Sequence, residues 1–204
     1  ASAFTAGANP GAAAFDPAFI AGRDASSALI GGGGFPSNLA LLPFDPSTPA
    51  AGIGAPLVTP NPQTYAGAWW AHPTSGRQGW LITGNNGVFG ENNITFISAD
   101  GAAAGPVTLA LSSFSGGITV AANGDVITVL ADFNPAVDNQ VLRFTADQID
   151  AAVAAVLAAM PAPLAAVDAA NPLRADASSS VAVDALGRLW VGGWQIPHLQ
   201  LWDP

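Results

Sequence analysis

The stretch SVAVDALGRLWVGGWQIPHLQLWDP, Ser180 to Pro204, decides how the rest of the chain is read. Two apolar runs, Val181 to Val183 and Leu189 to Val191, flank Asp184-Ala185-Leu186-Gly187. Asp opening and Gly closing such a four-residue link is tight-turn chemistry, because Asp bonds the backbone ahead of it and Gly accepts a positive φ. A polar break then leads into Leu199-Gln200-Leu201-Trp202, an apolar–polar alternation of strand period closed by Asp203-Pro204. Strand, turn, strand, break, strand describes one small antiparallel sheet.

Related versions lie upstream. Ile118 to Val129 (ITVAANGDVITV) aligns with Val181 to Gly192 (VAVDALGRLWVG), and its Asn123-Gly124 between β-branched runs is a strong hairpin signal. The closing runs LLPFDP (41–46), ITFISA (94–99), VLRFTA (141–146) and LQLWDP (199–204) start 53, 47 and 58 residues apart. Four such units suggest propeller blades. The expected fold is all-β: a β-propeller-like array of about four four-stranded antiparallel blades. It is expected to form a single propeller-like domain, or part of one, over 1–204, with blades near 15–46, 47–100, 101–146 and 178–204 and an insertion over 146–177. That insertion opens on Thr145-x-x-Gln148, a capping box, and Ile149, Val153, Val156, Leu157 and Met160 follow at helical spacing up to Pro161. The spacing predicts one inserted helix over 146–160, suited to packing on a sheet face or on a partner.

Composition narrows the function classes. Charged residues make up 9% of the chain, against about 25% in an ordinary soluble domain. Either another protein, a cell-envelope layer or the remainder of a longer chain covers much of this surface, or a GC-rich genome has written Ala, Gly, Pro and Arg wherever it can. All five basic residues are Arg (23, 77, 143, 174 and 188), and the net charge is −9. No basic footprint for nucleic acid or anionic lipid exists in such a chain. The absence of Cys excludes disulfides, thiolate metal sites and Cys nucleophiles. The longest uncharged run, Ala151 to Val167, is mostly alanine with two prolines, which argues against a transmembrane segment. A start on Ala1-Ser2-Ala3 without Met is compatible with signal-peptide cleavage and a secreted or cell-envelope (periplasm or cell-surface) location.

Val183-Asp184-Ala185-Leu186-Gly187-Arg188-Leu189-Trp190-Val191 resembles the β-propeller superfamily that contains NHL repeats, regucalcin-like lactonases and streptogramin lyases, in which V-D-x-x-G-x-(L/I)-W-V hairpins recur from blade to blade. Val120 to Val129 looks like a second copy, and Val141 to Phe144 matches the outer strand. The resemblance covers about 117–145 and 180–204 and is diffuse over 15–100. For the lactonase type it implies a channel metal held by a Glu, two Asn and an Asp, and for the lyase type a His pair with a Glu. The only Glu here is Glu91, in Gly90-Glu91-Asn92-Asn93, and the two His, His72 and His198, adjoin Pro73 and Pro197 with no matched acid spacing. Asp184-x-x-Gly187-x-x-Trp190 is also similar to the Asp box of sialidases, a structural turn, with Ala182 in place of its Ser.

Candidate contact residues are Trp69, Trp70, Trp194 and His198. Indole faces can stack on a sugar or planar ligand while the N–H orients it; the competing reading is that these rings fill space between blades. Trp80 and Trp190 lie within strands and are expected in the core. Asp125, Asp132 and Asp138 surround one hairpin and offer carboxylates to a Ca²⁺ ion, or else cap turns. Asn85, Asn86, Asn92 and Asn93 are expected at positive-φ turn positions. The leading functional expectation is a non-enzymatic exported or envelope scaffold without a cofactor. It would act through protein–protein contacts with other envelope or complex subunits or with a second copy of itself. The alternatives are a metal-dependent lactonase- or lyase-like propeller and a carbohydrate-binding propeller using Trp69, Trp70 and Trp194.

Overall fold

The computed structural model describes residues 17–24, 27–32, 39–43, 56–57, 63–85, 92–99, 106–111, 115–130, 140–156, 165–166, 178–193 and 199–202. These form four antiparallel sheets and one helix. Sheet 1 contains β1 (Pro17–Gly22), β2 (Ser27–Gly32), β3 (Leu39–Pro43) and β4 (Pro56–Leu57). Sheet 2 contains β5 (Gln63–Ala71), β6 (Gln78–Asn85), β7 (Asn92–Ser98) and β8 (Val107–Leu111). Sheet 3 contains β9 (Ser115–Val120), β10 (Val126–Leu130), β11 (Gln140–Phe144) and β12 (Ala165–Ala166), with α1 (Ala146–Ala155) between its last two strands. Sheet 4 contains β13 (Ser178–Val183), β14 (Leu189–Gly193) and β15 (Gln200–Trp202). Within each sheet every strand pairs with the next in sequence, so each sheet is an up-and-down meander.

The first strands lie side by side: β1 against β5, β5 against β9, β9 against β13. The sheets therefore stack face to face around their first strands, which is a propeller-like array. Alternation along each strand sorts side chains between two neighbours. In β6, Trp80 and Ile82 join Ala21 and Leu29 of sheet 1, while Leu81 joins Ile118, Val126 and Phe144 of sheet 3. Buried on both faces, β6 is consequently a nearly continuous buried strand. A third layer, Ile127, Val129, Val141, Leu189 and Val191, joins sheets 3 and 4. Burying side chains of this size contributes roughly 1.5–3 kcal/mol each.

The repeated closing runs are the third strands. In sheets 1 to 3 a further strand follows: β4 and β12 have two residues each, and β8 has five. Two residues are too few to show any alternation, so β4 and β12 left no pattern in the sequence.

The first strand of every sheet also carries a bulge. Ala18, Tyr65 and Ser179 are extra residues in β1, β5 and β13, and Gly116-Gly117 faces Val129 in β9. A bulge takes backbone groups out of the ladder. In β9, hydroxyl donors satisfy the freed carbonyls: Thr83 Oγ1 of sheet 2 bonds Gly116 O at 2.7 Å, and Thr128 Oγ1 bonds Gly117 O at 3.0 Å.

The capping box forms as expected, Gln148 N–H donating to Thr145 Oγ1 (3.1 Å) and Thr145 N–H to Gln148 Oε1 (2.9 Å). Ala146, Ile149, Ala152 and Val153 face the layer between sheets 2 and 3. The helix ends at Ala155, short of the expected 160, and Val156 adopts a left-handed conformation (φ 50°). Val156 is 69% exposed, so the packing that would support a further turn is missing there. Residues 157–160 lie outside the described residues. No helix among the described residues is long and apolar enough to cross a membrane.

Candidate functional site

Two places concentrate chemistry: the hairpin end of the sheets and the outward face of sheet 4. At the hairpin end, β5 turns into β6 through His72 to Arg77, and this turn meets α1. His72 Nδ1 accepts the backbone N–H of Thr74 (3.2 Å) and of Ser75 (2.9 Å), so its Nε2 donates to Asp147 Oδ1 at 3.0 Å. Ser75 Oγ donates to Asp150 Oδ1 (2.9 Å), which also accepts from Arg77 Nε (2.8 Å). Burial alone would raise the Asp150 carboxyl, but hydrogen bonds from Arg77 and Ser75 and the Arg77 charge outweigh it and leave Asp150 below the usual carboxylate range.

A Ser, a His and two Asp thus meet across 75 residues of sequence, yet they do not form a nucleophile and base. A general base must present a lone pair to the attacking hydroxyl. Here the Nδ1 lone pair is taken by two backbone amides, and Ser75 points at a carboxylate. The cluster is a clasp between sheet 2 and the helix of sheet 3. Local spacing did not reveal it; the one signal was the capping box, which puts Asp147 on the first helical turn.

Asp125 organises the adjoining turn. Its Oδ2 accepts from Arg143 Nε (2.8 Å) and Nη2, and its Oδ1 accepts the N–H of Ala146, the first helical residue (3.1 Å). Since the buried carboxylate is filled by an arginine and a helix N-terminus, a cation at Asp125 would have to displace both, and Asp125 does not fit a metal ligand in this arrangement. Asp132 and Asp138 lie outside the described residues, as do Glu91, Trp194 and His198.

The tryptophans divide. Trp70, expected as a candidate contact, has no exposed surface: it packs edge-on to Phe96 and donates its N–H to Gly124 O at 2.9 Å. That corrects it to a core side chain, pinning the β5 end to the β9–β10 turn. Trp69 is half-buried, T-shaped against Trp80 (4.9 Å), with the Arg23 guanidinium 4.3 Å over its ring. Trp80 is buried as expected. Asn85 and Asn93 are corrected as well. They sit in β6 and β7, buried and paired in the ladder, and Asn85 Nδ2 donates to Gln63 Oε1 and Tyr65 Oη. Positive φ at turns is supplied instead by Gly76, Gly124 and Gly187. Burial raises the Tyr65 phenol, with the Asn85 bond offsetting part of the effect.

In sheet 4 the turn is held by Asp184. Its Oδ1 accepts the N–H of Leu186 (2.9 Å) and Arg188 (3.0 Å), and its Oδ2 accepts from Arg188 Nε (2.8 Å) and Trp190 Nε1 (3.1 Å). The Arg188 hydrogen bond leads the causes that lower the Asp184 carboxyl to about 2. With Arg23–Asp24, Arg77–Asp150 and Arg143–Asp125, this makes every arginine among the described residues the partner of an aspartate.

The face of sheet 4 turned away from sheet 3 is the second place. Val181, Val183, Leu189 and Val191 point inward. By alternation Ala182, Trp190 and Leu201 form one outward row, in register across the sheet, and Leu199 lies over Gly192 beside it. Leu199 is 67% and Leu201 46% exposed. Two large apolar residues thus lie side by side and exposed on one sheet face.

No protein-family model and no curated protein matches the chain. Among solved structures it is similar to a protein of unknown function from Bacteroides caccae, with a TM-score of 0.54 and 10% identity over 93% of this chain and 57% of that one. A second similar structure is the Dos1 propeller, with a TM-score of 0.49 and 16% identity over 89% of this chain and 40% of that one. The likeness is one of fold. The chain spans a little over half the length of the first of these structures and less than half of the second.

Proposed function

We propose that this chain is a non-enzymatic scaffold, exported or held in the cell envelope, that works through protein–protein contact at the outward face of sheet 4. The observation that carries the reading is the exposed apolar row Leu199, Leu201, Trp190 and Ala182, on a sheet whose other face is already committed to the core. The charge deficit supports it, since a chain in which 9% of residues are charged has little charge with which to solvate its surface. The NHL-type hairpins at 117–145 and 180–204 agree with a binding platform, and the polar clusters at the hairpin end serve to join sheets.

Site-specific photo-crosslinking in the native cell tests the reading. A photoreactive residue at position 201 is expected to give discrete protein adducts, and one at the exposed turn residue Asn123 is not. Absence of any adduct at 201 would overturn the reading. So would a stoichiometric divalent metal in the purified protein that is lost in Asp132→Asn or Asp138→Asn together with a lactonase or lyase activity.

A further inference from the structure

We infer that the mouth of the junction between sheets 1 and 2, at its hairpin end, binds a small carboxylate carried on a flat apolar body. The site is separate from the outward face of sheet 4 and goes beyond the contact reading above. Three buried side-chain atoms, Ser27 Oγ, Trp80 Nε1 and Asn93 Oδ1, have no hydrogen-bond partner among the described residues. All three belong to this junction. Trp80 packs with Ala21 and Leu29, and Ser27 precedes Leu29 by two residues on β2, on the same side. Asn93 shares its side of β7 with Ile97, the partner of Trp80, but lies four residues along the strand, about 13 Å away. Ser27 and Trp80 remain together at the hairpin end. A buried donor without an acceptor is costly, and folded proteins rarely leave one so.

Arg23 completes the set. It pairs with Ser27 across the β1–β2 turn, Arg23 N–H donating to Ser27 O at 3.0 Å. Its guanidinium reaches sheet 2 and lies 4.3 Å over the Trp69 ring. Arg77, Arg143 and Arg188 each donate through Nε to an aspartate at 2.8 Å. Arg23 Nε stands 3.4 Å from Asp24 Oδ2, an ion pair at longer range. The Trp80 N–H and the guanidinium are donors only, and the Ser27 hydroxyl can donate as well, so the ligand they suit is an acceptor. A guanidinium fork matches the two oxygens of a carboxylate. One arginine balances one negative charge, and the walls around it are apolar: Ala21, Leu29, Trp69 and Ile97. That combination favours a carboxylate with an apolar body over a phosphate. An arginine resting on an exposed indole is held weakly. A flat ring can therefore take its place on Trp69 while the fork turns to the carboxylate, with Ser27 and Trp80 donating to the same oxygens.

Nuclear magnetic resonance of the isotope-labelled full chain, titrated with benzoate, tests this, because each of the six tryptophans gives one indole N–H signal. The Trp80 signal is assigned by its loss in Trp80→Phe. With benzoate it is expected to shift and saturate, while the signal of Trp70, bonded to Gly124 O, stays in place. Arg23→Gln is expected to weaken benzoate binding about 10- to 100-fold, as the loss of charge-assisted hydrogen bonds does. Ser27→Ala is expected to weaken it about three- to tenfold. Because Ser27 Oγ has no partner in the free protein, that variant is expected to leave urea unfolding unchanged, and it carries the test should Arg23→Gln fail to fold. Benzyl alcohol has the ring without the charge and inorganic phosphate the charge without the ring; each is expected to bind roughly tenfold more weakly than benzoate or worse. A Trp80 signal that does not move with benzoate overturns the inference. So does benzyl alcohol or phosphate binding as tightly as benzoate, or full benzoate affinity in Arg23→Gln and Ser27→Ala.

Discussion

Gly124 offers a test with its controls built into the fold. Three glycines occupy matching hairpin positions with nearly the same backbone: Gly76 (φ 76°), Gly124 (φ 85°) and Gly187 (φ 81°). Replacement by Ala imposes a similar left-handed penalty at all three, about 1–2 kcal/mol. Their surroundings differ. A Cβ on Gly76 or Gly187 meets nothing within 4 Å, whereas on Gly124 it would lie 3.0 Å from Pro73 Cδ, 3.2 Å from Ala146 Cβ and 3.3 Å from Ala71 O. Those atoms belong to the turn of sheet 2, its first strand and the start of α1, so relief requires these packed neighbours to give by a few tenths of an ångström. Overpacking of this kind costs about 1–3 kcal/mol. Gly124 O is also the acceptor for Trp70, and a shifted turn weakens that bond. Urea unfolding followed by tryptophan fluorescence is expected to show Gly124→Ala losing about 1–3 kcal/mol more than Gly76→Ala or Gly187→Ala. Equal losses at the three positions would refute the argument that this turn is where sheets 2 and 3 are locked together.

Other consequences follow from the same contacts. Thr145→Ala removes the helix cap and is expected to cost about 1 kcal/mol in thermal or urea unfolding. Asp125→Ala leaves the Ala146 N–H and the Arg143 guanidinium without their carboxylate and is expected to cost about 2–3 kcal/mol by the same measurement. The Asp184 carboxyl is held near 2 by Arg188 and the turn amides, so its contribution is present above the unfolded value of about 3.9 and is lost as pH falls toward 2. A carboxyl-carbon NMR titration of Asp184 should give a midpoint near 2, with Trp190 fluorescence changing over the same window and the change absent in Asp184→Asn; a midpoint near 4 would contradict the bonding described.

Features whose physics is local could be read from the chain. The Asn123-Gly124 turn, the Asp184 turn and the Thr145–Gln148 box each close within a few residues, and the structure contains all three. The two-residue strands β4 and β12 and the bulges at Ala18, Tyr65 and Ser179 carry no composition of their own, because they answer to the stacking of neighbouring sheets. Asn85 and Asn93 have turn chemistry by type, and ladder pairing at both, with buried side-chain hydrogen bonds at Asn85, overrode it. The clasp joins His72 to Asp147, and no spacing rule connects residues so far apart. As for the contact face, the alternation of Leu199 and Leu201 was visible in the sequence, but which side of the sheet lacks a cover is decided only by the stacking of all four.

The chain has no cysteine, which allows the central claim, that the outward face of sheet 4 is a contact surface, to be tested with one introduced at a time. In the native cell Leu201→Cys is expected to be protected from a maleimide reagent, whereas a Cys at the exposed turn residue Asn123 is labelled. After purification both positions are expected to react alike. Equal labelling of the two positions in the cell would contradict the claim that this face is covered there.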